Sequence, residues 1–196
     1  MKLKVFNILD LINEIGENDL YSILSDFSCP QNPDVEHFLK HNAIDFAQQG
    51  KSVSHLVMNA ESGDLVGYFT LAIKPITIFG NQISKTMASR IRRISVLDSA
   101  SNSFTLAAYL IAQLGKNYSI DKTSQITGSE LLSLAITSVS RLKHETDGVV
   151  QFVECEDNDF LLNFYNNHEF KIFDSRMTEP KGANPRKLYQ LIRKID

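Results

Sequence analysis

The apolar positions of this chain change their period several times, and each change marks an element. Lys2 to Leu9 alternates loosely and predicts a first strand. Asn18-Asp19 suits a helix cap, followed by Leu20, Tyr21, Ile23 and Leu24 and an end near Phe27. Pro30 and Pro33 punctuate the chain. Asp34 then opens a second helix through VEHFLKHNAIDFAQQG, with Val35, Phe38, Leu39, Ile44 and Phe46 as its apolar side and Gly50 as its stop. SVSHLVMN and DLVGYFTLAIK flank AESG as a hairpin of two strands. Residues 75–103 are polar and irregular, compatible with a loop, a short helix or an added strand. The long apolar run from Phe104 to Leu114 predicts a buried strand, a polar loop follows, and ELLSLAITSVSRL returns to helical spacing. GVVQFVEC predicts a strand, Asp157 to Asn167 a helix, FKIF a strand, and KLYQLIRK a last strand after the turn-rich EPKGANP.

This order predicts a mixed α/β (α+β) fold: a largely antiparallel sheet of six to seven strands with helices on both faces, in a single domain over 1–196. The strand–helix–strand segment from Phe104 to Cys155 should form a right-handed parallel crossover.

Composition narrows the picture. A hydrophobic content of 43% and a charged content of 22% are ordinary for a soluble globular protein. No apolar run is long enough to span a bilayer, and MKLKVFNILDL is too short and too interrupted to be a signal peptide. A cytoplasmic protein without a membrane partner is expected. Cys29 and Cys155 lie far apart and form no CxxC, which argues against a zinc site or a disulfide framework. The net charge of −3 gives no global attraction to nucleic acid. RIRR at Arg90–Arg93, with Lys85 nearby, is the one dense basic run; it reads first as a solvated linker and second as a contact for RNA or an acidic substrate. His37 and His41 have the spacing of two ligands on one helix face. Phe38 rather than Glu follows the first, and no third ligand is evident, so no metal is expected.

The candidate chemistry begins after the Phe104–Leu114 strand. The first N–H groups of a helix are unpaired and its dipole is positive there, so a strand, a polar loop and a helix start can bind phosphate. Here the loop ends at Gly128. It reads in one of two ways. Either the amides of Ser124, Gln125, Ile126, Thr127, Gly128 and Ser129 surround a diphosphate with Lys116 or Lys122 as counter-charge, or Thr127 or Ser129 merely caps the next helix in a surface loop. About thirty residues on, NDFLLNFYNNHEF predicts a short helix with a Phe-Tyr pair that returns to a strand. The two in this order suggest a protein that holds a phosphorylated acyl carrier and transfers from it.

DLVGYFTLA, FTLAAYLIAQLGK, SQITGSELL and NDFLLNFYNNHEF resemble four successive features of the GNAT family of acyl-CoA-dependent N-acetyltransferases. These are its third strand, its central fourth strand, its pyrophosphate loop and its N-x-x-a-x-x-(F/L)-Y-x-x-x-G-F signature. Asn158, Phe164, Tyr165 and Phe170 sit at matching places. FSCPQNPDVEHFLKHNA before the GYFTL strand is similar to the subgroup that includes toxin-type acetyltransferases. Two departures stand out. The family loop is usually (Q/R)-x-x-G-x-(G/A); aligned on Gly128, this chain offers Thr123, Ile126 and Gly128, so the first and middle positions differ. Glu169 replaces the glycine that usually precedes the strand phenylalanine.

The resemblance implies acetyl-CoA as co-substrate and direct transfer to a primary amine of a small molecule or of a protein or peptide. Aminoacyl-tRNA is an alternative acceptor that the acidic balance disfavours, a non-catalytic acyl-CoA-binding module is another reading, and a homodimer is compatible with either. Tyr165 matches the residue that protonates the leaving thiolate, since a phenol with a pKa near ~10 keeps its proton at neutral pH; a core tyrosine is the plainer reading. Asn158 is a helix cap first and a cofactor contact second. Backbone N–H groups at Leu114, Gly115 and Lys116 would meet the cofactor and the tetrahedral oxyanion. Glu154, Glu156 or a water they hold are candidates for the base, although a cluster such as ECEDND is more often a solvated acidic turn.

Overall fold

A computed structural model describes residues 2–178 and 185–195. Among them, seven strands and seven α-helices follow in the order β1 (Leu3–Asn7), α1 (Ile8–Ile15), α2 (Glu17–Ser25), α3 (Pro33–His41), α4 (Ala43–Gln48), β2 (Val53–Asn59), β3 (Leu65–Phe79), α5 (Lys85–Ile91), β4 (Ser103–Lys116), α6 (Gly128–Thr146), β5 (Val150–Glu156), α7 (Asp159–Asn167), β6 (Lys171–Met177) and β7 (Lys187–Lys194). The strands form one sheet in the order β1-β2-β3-β4-β5-β7-β6, and the neighbours β1/β2, β2/β3, β5/β7 and β6/β7 are antiparallel. The mixed, largely antiparallel architecture expected from the pattern is the one observed.

Local chemistry explains where elements begin and end. The first strand stops at Asn7, short of the expected Leu9, because the Asn7 side chain accepts the Leu9 N–H at 2.9 Å and starts α1. Helix α2 starts after Gly16, whose φ of +80° a glycine adopts freely, rather than at the expected Asn18-Asp19 cap. The long helix expected from Asp34 is two helices, because Asn42 leaves helical geometry at φ −122° between His41 and Ala43. The stretch 75–103 holds all three alternatives: β3 runs on to Phe79, α5 follows, and the rest is loop with one bridge between Asp98 and Ser103. Pro75 is tolerated in β3 because the register with β2 ends at Leu71, so its missing N–H costs no bond on that edge. The turn expected at EPKGANP falls on residues 179–184, outside the described residues, except for its last position.

The chain divides into two compact units, Met1–Ala72 with Ile111–Ser138 and Ile73–Leu110 with Val139–Asp196. The core of the first is built from Ile8, Leu20, Leu24, Phe27, Leu39, Leu56 and Tyr68. That of the second is built from Ile78, Ile91, Phe104, Phe152 and Phe173. Each such side chain contributes about 1.5–3 kcal/mol by leaving water.

Two glycines in the first unit are there for lack of space. A Cβ on Gly67 of β3 would stand 2.8 Å from the Gly115 carbonyl oxygen of β4. One on Gly115 would stand 2.5 Å from Val35 Cγ1 and 2.7 Å from Tyr68 Cε1. Next in sequence but one, buried Asn117 ties the end of β4 down. Its side-chain nitrogen donates to the Leu65 carbonyl at 2.8 Å, and its side-chain oxygen accepts from the Ser28 N–H at 2.9 Å and the Ser119 N–H at 3.0 Å.

Candidate functional site

In the first unit, β4 is followed by a 3-10 turn at Lys122–Ser124 and then by α6, which starts at Gly128. Several amides expected to face an anion are spent internally. Ser124 donates to the Asp121 carbonyl at 2.8 Å and Gln125 to the Lys122 carbonyl at 3.4 Å. Thr127 and Glu130 form a capping box. The Glu130 carboxylate accepts the Thr127 N–H at 2.9 Å and its hydroxyl at 2.6 Å, while the Thr127 hydroxyl oxygen accepts the Glu130 N–H at 3.1 Å. These hydrogen bonds from Thr127 hold the Glu130 carboxyl below its ordinary pKa. The amides of Ile126, Gly128 and Ser129 remain, making no hydrogen bond among the described residues, and the last two open α6. The Ile126 side chain is buried, its Cγ2 3.5 Å from where a Cβ on Gly67 would stand.

The strand end before this loop combines packing and polarity. Leu114 is half-buried, Gly115 is buried by the contacts described above, and Lys116 lays its ammonium over the Tyr118 ring, 5.1 Å from the centroid. Lys122 is exposed. Lys116 ends β4 and Lys122 opens the 3-10 turn within the loop, so both precede α6.

In the second unit, α7 carries the Phe-Tyr pair. Asn158 caps it, its side-chain oxygen accepting from Phe160 at 2.9 Å and Leu161 at 3.3 Å. Tyr165 is buried, edge-on to Phe164 at 5.1 Å and to Phe170 at 5.8 Å. Burial, followed by the neighbouring Cys155, pushes its phenol well above the ordinary value. The group therefore stays protonated throughout the neutral range, and its hydroxyl makes no hydrogen bond among the described residues.

Glu154 on β5 accepts three hydrogen bonds from two side chains. Arg176 of β6 donates from Nε to Oε1 at 2.8 Å and from Nη2 to Oε2 at 2.6 Å, and Gln190 of β7 donates to Oε1 at 2.7 Å. Burial raises its pKa, but the hydrogen bonds from Arg176 and Gln190 outweigh that and leave it below the ordinary value. A carboxylate so held is a weaker base than a free one. Glu156 pairs with Arg186 at 2.7 Å.

The remaining sequence candidates are placed as follows. Cys29 is buried, and burial, ahead of its other neighbours, raises its thiol. Cys155 is buried likewise, and burial pushes it up to about 11. The rings of His37 and His41 lie 4.6 Å apart on α3, beside a shallow pocket of about 220 Å³ that Cys29, Glu36 and Lys40 also line. No group of three or more metal-ligating side chains occurs among the described residues. Arg90 lies in the last turn of α5, with Arg92 and Arg93 exposed beyond it. No described helix is long and apolar enough to cross a membrane.

No family model matches the sequence, and no curated protein sequence matches it. Solved structures do. AtaT complexed with acetyl-methionyl-tRNAfMet has a TM-score of 0.64 at 15% identity, over 96% of this chain and 94% of its own. A tyrosine-to-phenylalanine mutant of KacT has a TM-score of 0.64 at 15% identity, over 100% of this chain and 96% of its own. AtaTR bound with acetyl-CoA has a TM-score of 0.58 at 14% identity, over 98% and 93%. The chain has the GNAT fold.

The α6 boundary bears on how the GNAT loop pattern falls on this sequence. A second register begins at Gln125 and puts Gly128 in the fourth position and Glu130 in the last. It matches two of three positions, and it puts the glycine in the first helical turn, where unpaired amides need close approach. Gln125 followed three residues later by Gly128 was the available sequence signal. The partners Arg176 and Gln190 left none, because they come from strands remote in sequence.

Proposed function

We propose that the chain is an acyltransferase that moves the acetyl group of acetyl-CoA to a primary amine. The observation that carries this reading is the pair of unpartnered amides at Gly128 and Ser129, at the start of α6 and shortly after β4, in a fold shared with a structure that holds acetyl-CoA. In this reading those amides take the diphosphate, Ser124 to Thr127 shape the loop, and Lys116 or Lys122 supplies positive charge. Backbone at Leu114, Gly115 and Lys116 pairs with the pantetheine and polarises the thioester carbonyl.

The amine nitrogen attacks the thioester carbon, a C–N bond forms and the C–S bond breaks. Tyr165 gives its proton to the departing thiolate, the surplus proton of the amine passes to solvent, and solvent returns a proton to the Tyr165 phenolate. Asn158 holds the first turn of the helix that carries Tyr165. Glu154, clamped by Arg176 and Gln190, braces three strands and is a poor proton acceptor in its own right. Isothermal titration tests the reading: acetyl-CoA should bind, and Gly128→Trp should abolish binding. No binding at millimolar cofactor would overturn it.

A second reading of the acceptor, the amine of an aminoacyl-tRNA, is favoured by the likeness to AtaT, whose structure holds an acetylated methionyl-tRNA. Radiolabelled acetyl-CoA incubated with charged tRNA should then label the tRNA. Label only on small amines or peptides would return the acceptor to the first reading.

A further inference from the structure

The turn that closes α7 is a Schellman motif. Phe170 donates its N–H to the Tyr165 carbonyl at 3.1 Å, and Glu169 donates to the Asn166 carbonyl at 3.1 Å. The Tyr165 carbonyl also accepts from His168 at 3.0 Å. The apolar contact that accompanies such a turn is here Tyr165 against Phe170, which is fully buried. Both the carbonyl and the ring of Tyr165 therefore belong to the turn.

The turn depends on one residue in the left-handed region, a place where glycine escapes the clash that a side chain meets. That residue is Glu169, at φ +67°. A glutamate there needs something to hold it. Its carboxylate meets Arg193 of β7 at 3.0 Å, and the arginine side chain is only 12% exposed against 66% for the glutamate. The anchored partner is thus the arginine, and the exposed partner is the strained one.

We infer that Glu169 and Arg193 are positioning residues for Tyr165: their ion pair holds residue 169 in the left-handed conformation, and the turn so fixed orients the phenol. This rests on the assignment of Tyr165 as proton donor. Neither residue touches reacting atoms. The pair does here what a glycine does unaided, so installing that glycine should make the arginine dispensable.

The test uses the full chain labelled with fluorotyrosine, the Tyr165 line being identified by its loss in Tyr165→Phe. Fluorine NMR should show that line shifted or broadened in Arg193→Met and in the conservative Glu169→Gln. It should be native in Glu169→Gly and in the Glu169→Gly, Arg193→Met double variant. With an amine panel and thiol release as readout, Arg193→Met should lower kcat about tenfold at unchanged KM for acetyl-CoA, with recovery in the double variant. An unchanged Tyr165 line in Arg193→Met, or a perturbed one in the double variant, would overturn the inference. Absence of acetyl-CoA binding in the parent protein would reject the transferase reading instead, and the fluorine spectra would still decide the positioning.

Discussion

Thr127 and Glu130 hold each other at the start of α6, each accepting a hydrogen bond from the other's backbone N–H, at 2.9 and 3.1 Å. The box stabilises the helix and sets a negative charge beside the two amides proposed to take a diphosphate. Glu130→Gln keeps the hydrogen-bonding shape and removes the charge. Acetyl-CoA should bind about three- to tenfold more tightly to that variant at low ionic strength, the difference shrinking in salt. Equal affinities by calorimetry would place the diphosphate elsewhere.

Gly115 has no room for a side chain. Gly115→Ala forces its methyl against Val35 and Tyr68, and should cost about 2–3 kcal/mol of stability. For a chain of this size that is a drop in Tm of roughly 4–12 °C by thermal denaturation. An unchanged Tm would mean that β4 and α3 part more easily than their packing suggests.

Tyr165→Phe keeps the buried ring and removes the proton. Acetyl transfer should fall about a hundredfold or more, while acetyl-CoA affinity, assigned to α6, stays as it was. Loss of binding alongside loss of turnover would show a packing role instead.

The clamp on Glu154 makes stability depend on acid. Its folded-state pKa lies below the ordinary value, so on acidification the unfolded chain takes up the proton first. The contribution is complete above the ordinary carboxylate pKa and is lost as pH falls through the folded value. Urea midpoints measured down the acid range should fall less steeply in Glu154→Gln, which should also be the less stable protein at neutral pH because Arg176 loses its partner. Parallel acid limbs for the two proteins would remove Glu154 from the account.

Much of the fold was legible because it is local. KLYQLIRK alternates and is β7 to the residue, the Phe104 run lies within β4, and Asn158 caps α7. The break at Asn42 was hidden because the apolar spacing runs through it, and the start of α1 was hidden because the alternation of the first strand runs on into Ile8 and Leu9. In the candidate site the start of α6 was legible, whereas the spending of the Ser124 and Gln125 amides on carbonyls three residues back was not.

By itself, then, the sequence determined the periods, caps and turn residues, since each depends on neighbours within a few positions. The tertiary structure alone decided that Gly67 must make way for Gly115, that Glu154 is clamped by residues 22 and 36 positions away, and that Arg193 answers the missing glycine at Glu169. Those pairings are set by strand order and register, which bring remote residues within 3 Å or so, a distance no local spacing encodes.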